Sequence, residues 1–140
     1  MKIVKTLDIP ADYFYTKVID SVIYDIKEQT GQQLPVTRLE GFEYKKQFAR
    51  GRRAKVKITK NVINQAYHFE TITPGSVFKV NYDIAPTADN RTQVTYEEKS
   101  EMKDTLSRMN QALIGMLFGF FRKRNFGKML TAIEKSYTTA

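Results

Sequence analysis

The sequence predicts an α+β protein of one domain, residues 1–140, and three observations predict it. Between Phe42 and Glu97 the chain alternates apolar and polar residues in short runs separated by turn signals, the signature of consecutive half-buried strands. One strand and one helix precede that region. After it, no proline falls between Asp104 and Ala140, and leucine, methionine, alanine, lysine and arginine are plentiful, which predicts a long C-terminal helix. Short connections make consecutive strands antiparallel, and a sheet with one apolar face needs the long helix to cover it.

The elements follow in order. Ile3, Leu7 and Ile9, with Lys5 among them, predict a first strand. Pro10 costs little at a helix start, where its missing N–H would have no intrahelical partner. The helix runs to about Thr30, with Phe14, Val18, Ile19, Val22, Ile23 and Ile26 on one side, and Gly31 stops it. Leu34, Val36 and Leu39, between Gln32 and Glu40, fit a short helix or a loop. Phe42, Tyr44 and Phe48 alternate with Glu43, Lys45 and Gln47, although Lys46 falls on the aromatic face. Residues 49–53 read as a hairpin turn. Ala54, Val56 and Ile58 alternate with Lys55, Lys57 and Thr59. After a turn at Asn61–Gln65, Ala66–Thr73 is the next strand, closed by Pro74-Gly75. Phe78, Val80, Tyr82 and Ile84 mark the strand after it. Thr92, Val94 and Tyr96 mark the last.

The C-terminal segment carries two apolar stripes. Met102, Leu106, Met109, Leu113, Met116, Leu117, Phe120 and Phe121 share one broad helical face. Phe126, Met129, Leu130, Ile133 and Tyr137 form a second, on the side of Ala112, Gly115 and Gly119. Either the helix kinks between Arg122 and Gly127, or it is straight and its Leu/Met/Phe face meets a second copy of the chain or a membrane surface. A homodimer would then form through Leu113, Leu117, Phe120 and Phe121. The apolar run is about half the roughly 20 residues a membrane span needs.

Composition narrows the chemistry. The chain has no cysteine, which excludes a disulfide framework, a thiolate nucleophile and a zinc–thiolate site. With one histidine, a multi-histidine metal site is excluded too, and no cofactor is expected. The polar start of the chain reads as neither signal peptide nor membrane span, so a cytoplasmic protein is expected. The net charge of +8 is local: Lys45, Lys46, Arg50, Arg52, Arg53, Lys55, Lys57 and Lys60 lie in one window without an acid. Arg50, Arg52, Arg53, Lys55 and Lys57 are the candidate anion-binding residues of this hairpin. Nucleic acid is a poor fit, because only Phe48 interleaves the charges where stacking rings are needed.

Catalytic signals are sparse. His68 and Glu70 share one strand face, opposite Tyr67 and Phe69, as a base with an orienting carboxylate would; the plainer reading is a surface neighbour of the lysines. Glu97, Glu98 and Glu101 read as a solvated face rather than a carboxylate pair, since Glu97 and Glu98 point apart on a strand. No nucleotide loop, nucleophile elbow or zinc-helix motif is present, so a binder is expected rather than an enzyme.

Four stretches carry a resemblance: Ile9-Pro10-Ala11-Asp12-Tyr13-Phe14, Ala66-Tyr67-His68-Phe69-Glu70-Thr71, Val94-Thr95-Tyr96-Glu97-Glu98-Lys99 and Gly115-Met116-Leu117-Phe118-Gly119-Phe120-Phe121. With the element order, they resemble the START-like (helix-grip, SRPBCC) superfamily, and more closely a small uncharacterised family of low-GC Gram-positive bacteria. The resemblance implies a curved sheet of about six strands gripping the C-terminal helix, with a cavity between them. The superfamily includes lipid and hormone binders, polyketide cyclases and chaperone co-factors, so it transfers fold better than function. The residue pattern offers a lining of Phe42, Tyr44, Val56, Ile58, Phe69, Phe78, Val80, Tyr82, Val94 and Tyr96, with Gly115 and Gly119 leaving room from the helix. Either this is a filled aromatic core, or it is a pocket for a small apolar or amphipathic molecule whose polar parts meet tyrosine hydroxyls. The rival readings are an interaction protein that dimerises through the C-terminal helix, and a peripheral binder of anionic surfaces through hairpin 45–60.

Overall fold

The computed structural model describes residues 1–48, 51, 53–102 and 122–139. Strand β1 (Lys2–Leu7) leads into helix α1 (Ala11–Thr30), and a short 3-10 turn at Val36–Arg38 follows. Five strands come next: β2 (Glu43–Gln47), β3 (Arg53–Val62), β4 (Ala66–Thr73), β5 (Ser76–Pro86) and β6 (Thr92–Met102). The C-terminal helix α2 spans Arg122–Thr139. The stretch in which a helix start and the rest of the first apolar stripe are expected, including Leu113, Gly115, Leu117, Gly119, Phe120 and Phe121, lies outside the described residues; Met102 of that stripe instead ends β6, and Arg122 to Gly127, where a kink is expected, are helical within α2. Among the described residues, no helix is long and apolar enough to cross a membrane.

All strands are antiparallel in one six-stranded sheet of order β1-β6-β5-β4-β3-β2. The meander β2 to β6 is as the turn signals predict. The strands are longer than the clean alternation marks: β3 continues to Val62 past a register shift between Ile58 and Lys60, and β6 runs to Met102. Such a bulge bends and twists its strand, which helps the sheet curve. The first and last strands close on each other, with the Met1 amino group 3.1 Å from the Glu98 carbonyl and Ile3 opposite Tyr96.

Directly paired residues share a face, so the register puts three ranks of side chains across the inner surface. Asn61, Tyr67, Tyr82, Tyr96 and Ile3 form one; Ile58, Phe69, Val80 and Glu98 the next; Tyr44, Val56, Thr71 and Phe78 the third. Helix α1 lies against them through Phe14, Tyr15, Val18, Ile19 and Ile26, all buried. It ends at Gly31, whose φ of 77° is open to glycine without strain and lets its N–H reach the Lys27 carbonyl at 2.8 Å. From α2, Leu130 is fully buried, with Met129 and Ile133 packed beside it. Met129, Leu130 and Ile133 of the second expected stripe thus face the core, whereas Tyr137 stays 42% exposed, edge-on to the Tyr13 ring at 4.9 Å. The Tyr13 hydroxyl and Ser136 Oγ are 2.7 Å apart and tie the two helices together.

Candidate functional site

Between α1 and the β2–β5 part of the sheet lies a recess of about 360 Å³. Helix α1 supplies one wall: Val18, Ser21, Val22 and Asp25, at the i, i+3, i+4, i+7 spacing that puts residues on one helical face. The strands supply the other through Tyr44 and Lys46 of β2, Val56 of β3, Tyr67, Phe69 and Thr71 of β4 and Tyr82 of β5, with Phe48 beyond the end of β2.

The mouth is polar and internally paired. The Tyr44 hydroxyl donates to Asp25 Oδ2 at 2.6 Å, and the Lys46 ammonium lies 3.1 Å from the same oxygen. Lys46 also sits 5.3 Å from the centroid of the Phe48 ring, a cation–π distance. The inward lysine of the aromatic face therefore has a carboxylate and a ring to meet. These contacts pin β2, an edge strand, to α1.

Deeper in, the wall is aromatic. Tyr67 touches Phe69 and Tyr82, with ring centroids 5.6 and 6.2 Å apart, and Tyr82 stands edge-on to Tyr96 at 5.1 Å. Burial holds the phenols of Tyr44, Tyr67 and Tyr82 well above their ordinary value; the Asp25 carboxylate adds to this at Tyr44, and the Glu98 charge at Tyr82. All three hydroxyls stay neutral at any physiological pH. The Thr71 side chain is buried, and its Oγ1 has no hydrogen-bond partner among the described residues.

Of the expected lining, Tyr44, Val56, Phe69 and Tyr82 border this recess. Ile58, Phe78, Val80, Val94 and Tyr96 face the same side but are buried in the packed core, with Phe42 partly buried against it. Gly115 and Gly119 lie outside the described residues. Among the described residues, the helix bordering the recess is α1, not the C-terminal one. Sequence reasoning missed Val18, Ser21, Val22, Asp25, Lys46, Tyr67 and Thr71 as lining. Their signals were present: Asp25 extends the apolar face of α1, and Tyr67 and Thr71 flank Phe69 at period two.

The candidate chemistry sorts differently. His68 lies on the outer face with Nε2 2.9 Å from Asp83 Oδ1, while Glu70 approaches Lys79 at 4.0 Å, so His68 and Glu70 do not form a base with its carboxylate. Glu98 is not solvated as expected. It is 4% exposed and accepts a hydrogen bond from the Tyr96 hydroxyl, because it continues the inward phase of Thr92, Val94 and Tyr96. Of the basic hairpin, Arg53 is exposed, and Lys55 and Lys57 lie 2.9 and 3.8 Å from Glu43 on the neighbouring strand. Lys55 in turn holds the Glu43 carboxyl below its usual range. Arg50 and Arg52 lie outside the described residues. A second, open groove, lined by Lys5, Gly127, Lys128, Thr131, Ala132 and Lys135, separates β1 from α2. Among the described residues, no cluster of His, Asp and Glu is placed to hold a metal ion.

A curved six-stranded antiparallel sheet, with a helix after its first strand and another at the C-terminus, defines a helix-grip protein. Within that class, the chain belongs to the family described as a domain of unknown function (DUF3284), whose model matches residues 1–119. No curated protein matches the sequence. Among solved structures, the chain is similar to norcoclaurine synthase from Thalictrum flavum, with a TM-score of 0.62 at 13% identity, covering 100% of this chain and 86% of that one. It is also similar to a conserved protein from Geobacillus kaustophilus, with a TM-score of 0.55 at 19% identity over 96% and 95% of the two chains. A third is a protein from Rhizobium loti, with a TM-score of 0.55 at 19% identity over 83% and 88%. Identities this low carry the fold alone.

Proposed function

We propose that this protein is a non-enzymatic binder of a small amphipathic molecule, held in the recess between α1 and strands β2–β5. The observation that carries the reading is the recess itself: about 360 Å³, with an aromatic wall and a few polar groups placed around it. Small-molecule sites are concave, mostly apolar and start at about 300 Å³. The charged groups at the mouth are engaged with each other, which suits a rim that orients a ligand better than a site that attacks one. The reading extends the START-like resemblance from fold to use.

The test is titration with 1-anilinonaphthalene-8-sulfonate, an amphipathic fluorescent probe. The expected result is saturable binding of one probe per chain, weakened at least about tenfold in Val22→Trp, which narrows the recess from the α1 wall. Ser21→Phe narrows the same wall and serves if the first variant folds poorly by circular dichroism. Unchanged probe binding in a folded, narrowed variant would refute the reading.

A further inference from the structure

Among the described residues that line the recess, one buried side-chain polar atom has no hydrogen-bond partner. Ser21 Oγ donates to the Val18 carbonyl at 2.6 Å, and Asp25, Tyr44 and Lys46 satisfy one another at the mouth. Thr71 Oγ1 is buried, on a residue 1% exposed, and has no hydrogen-bond partner among the described residues. The register explains why. Its neighbours across the sheet are Val56 on β3 and Phe78 on β5, which offer no hydrogen bond. The next inward residues along β4 are Phe69, and Thr73, whose hydroxyl meets Ser76 at 2.9 Å. An unpaired buried hydroxyl is destabilising, and a valine would fill the same space without that penalty.

We infer that Thr71 is the polar anchor of the recess, and that the ligand is an uncharged molecule with a flat apolar body and a carbonyl or hydroxyl oxygen that reaches Thr71 Oγ1. This rests on the reading of the recess as a ligand site and adds the ligand's chemistry. The surroundings select the charge: with Val56, Phe69 and Phe78 around the hydroxyl, an ionised group would be desolvated without a counter-charge. The aromatic wall of Phe69, Tyr67 and Tyr82 favours a planar body. The paired Asp25 and Lys46 lie on the mouth side with Tyr44, which Val56 separates from Thr71 in its rank.

Two probes of similar size test this: acetophenone, and isopropylbenzene, whose tetrahedral benzylic carbon carries a methyl group in place of the carbonyl oxygen. Binding is read from amide shifts of β4 in two-dimensional NMR. The expected result is a preference for acetophenone of about threefold to tenfold in the wild type, lost in Thr71→Val and kept in Thr71→Ser, with isopropylbenzene binding unchanged throughout. Equal binding of both probes to wild type and Thr71→Val would leave the pocket standing and overturn the anchor. Failure of both probes to perturb the wild type would overturn the pocket and the anchor together. A readout without ligand accompanies it. Thr71→Val should melt at or above the wild-type temperature, whereas a clearly lower melting temperature would mean the hydroxyl is already satisfied, and would overturn the proposal.

Discussion

The inner face of the sheet has two halves that differ in how they are closed. On the β1–β6 side, Leu7, Ile9, Val94 and Leu130 are buried to within 1% of full exclusion, and the Thr92 hydroxyl beside them donates to the Ile9 carbonyl at 2.6 Å. On the β2–β4 side, the same inward alternation brings Tyr44, Lys46, Phe69 and Thr71 against α1 and leaves a recess. The difference lies in residue type. Compact aliphatic side chains interdigitate, whereas long aromatic and charged ones stand off from the opposing helix and meet it through polar tips. One half stabilises the fold and the other is shaped to receive something.

The largest expected effect tests that division directly. Leu7→Ala, at a fully buried position of the closed half, should cost about 3–5 kcal/mol in urea unfolding, and Phe69→Ala, beside existing empty space, only about 1–2 kcal/mol. Equal losses would mean the two halves are packed alike.

A second effect comes from the tyrosines of the open half. Their folded pKa values are raised above the ordinary value of 10.0. The protonated form is therefore favoured in the folded state, and their contribution is fully present below pH 10. It is lost as pH rises further, because the unfolded chain releases protons the folded one keeps. Stability should fall above about pH 10, by about 1.4 kcal/mol per pH unit for each such tyrosine, and Tyr67→Phe should remove one such contribution to the slope. An unaltered slope in Tyr67→Phe would place that phenol in contact with water.

The smallest effect lies on the outer face. Glu43→Gln removes the partner of Lys55 and Lys57, yet solvent-exposed pairs contribute little. The unfolding midpoint should not move measurably, and a clear drop would mean the β2 edge depends on its surface charges as well as on Asp25.

Much of the architecture was legible because alternation is a local signal. The order of strands, the limits of α1 and its stop at Gly31 follow from residues close together in sequence. The site was less legible, because it is built from partners far apart. Lys46 stands out in the pattern as a charge on an aromatic face, but only the packing of α1 brings Asp25 to it. Glu98 looks like one of a solvated acidic run until β6 is extended by one more inward step. Thr71 is an ordinary strand residue until the register shows Val56 and Phe78 on either side, and no hydrogen-bond partner for it among the described residues. Spacing along a strand tells which face a residue takes, not which helix lies opposite, and among the described residues the helix opposite the recess is α1.

The measurement that tests the central claim most directly is an isotope-filtered NOE experiment on the labelled protein with bound 1-anilinonaphthalene-8-sulfonate. The account predicts contacts from the probe's ring protons to the methyl groups of Val18, Val22 and Val56. Contacts confined to Ala132 and Lys135 in the groove between β1 and α2, or none to the α1 wall, would contradict it.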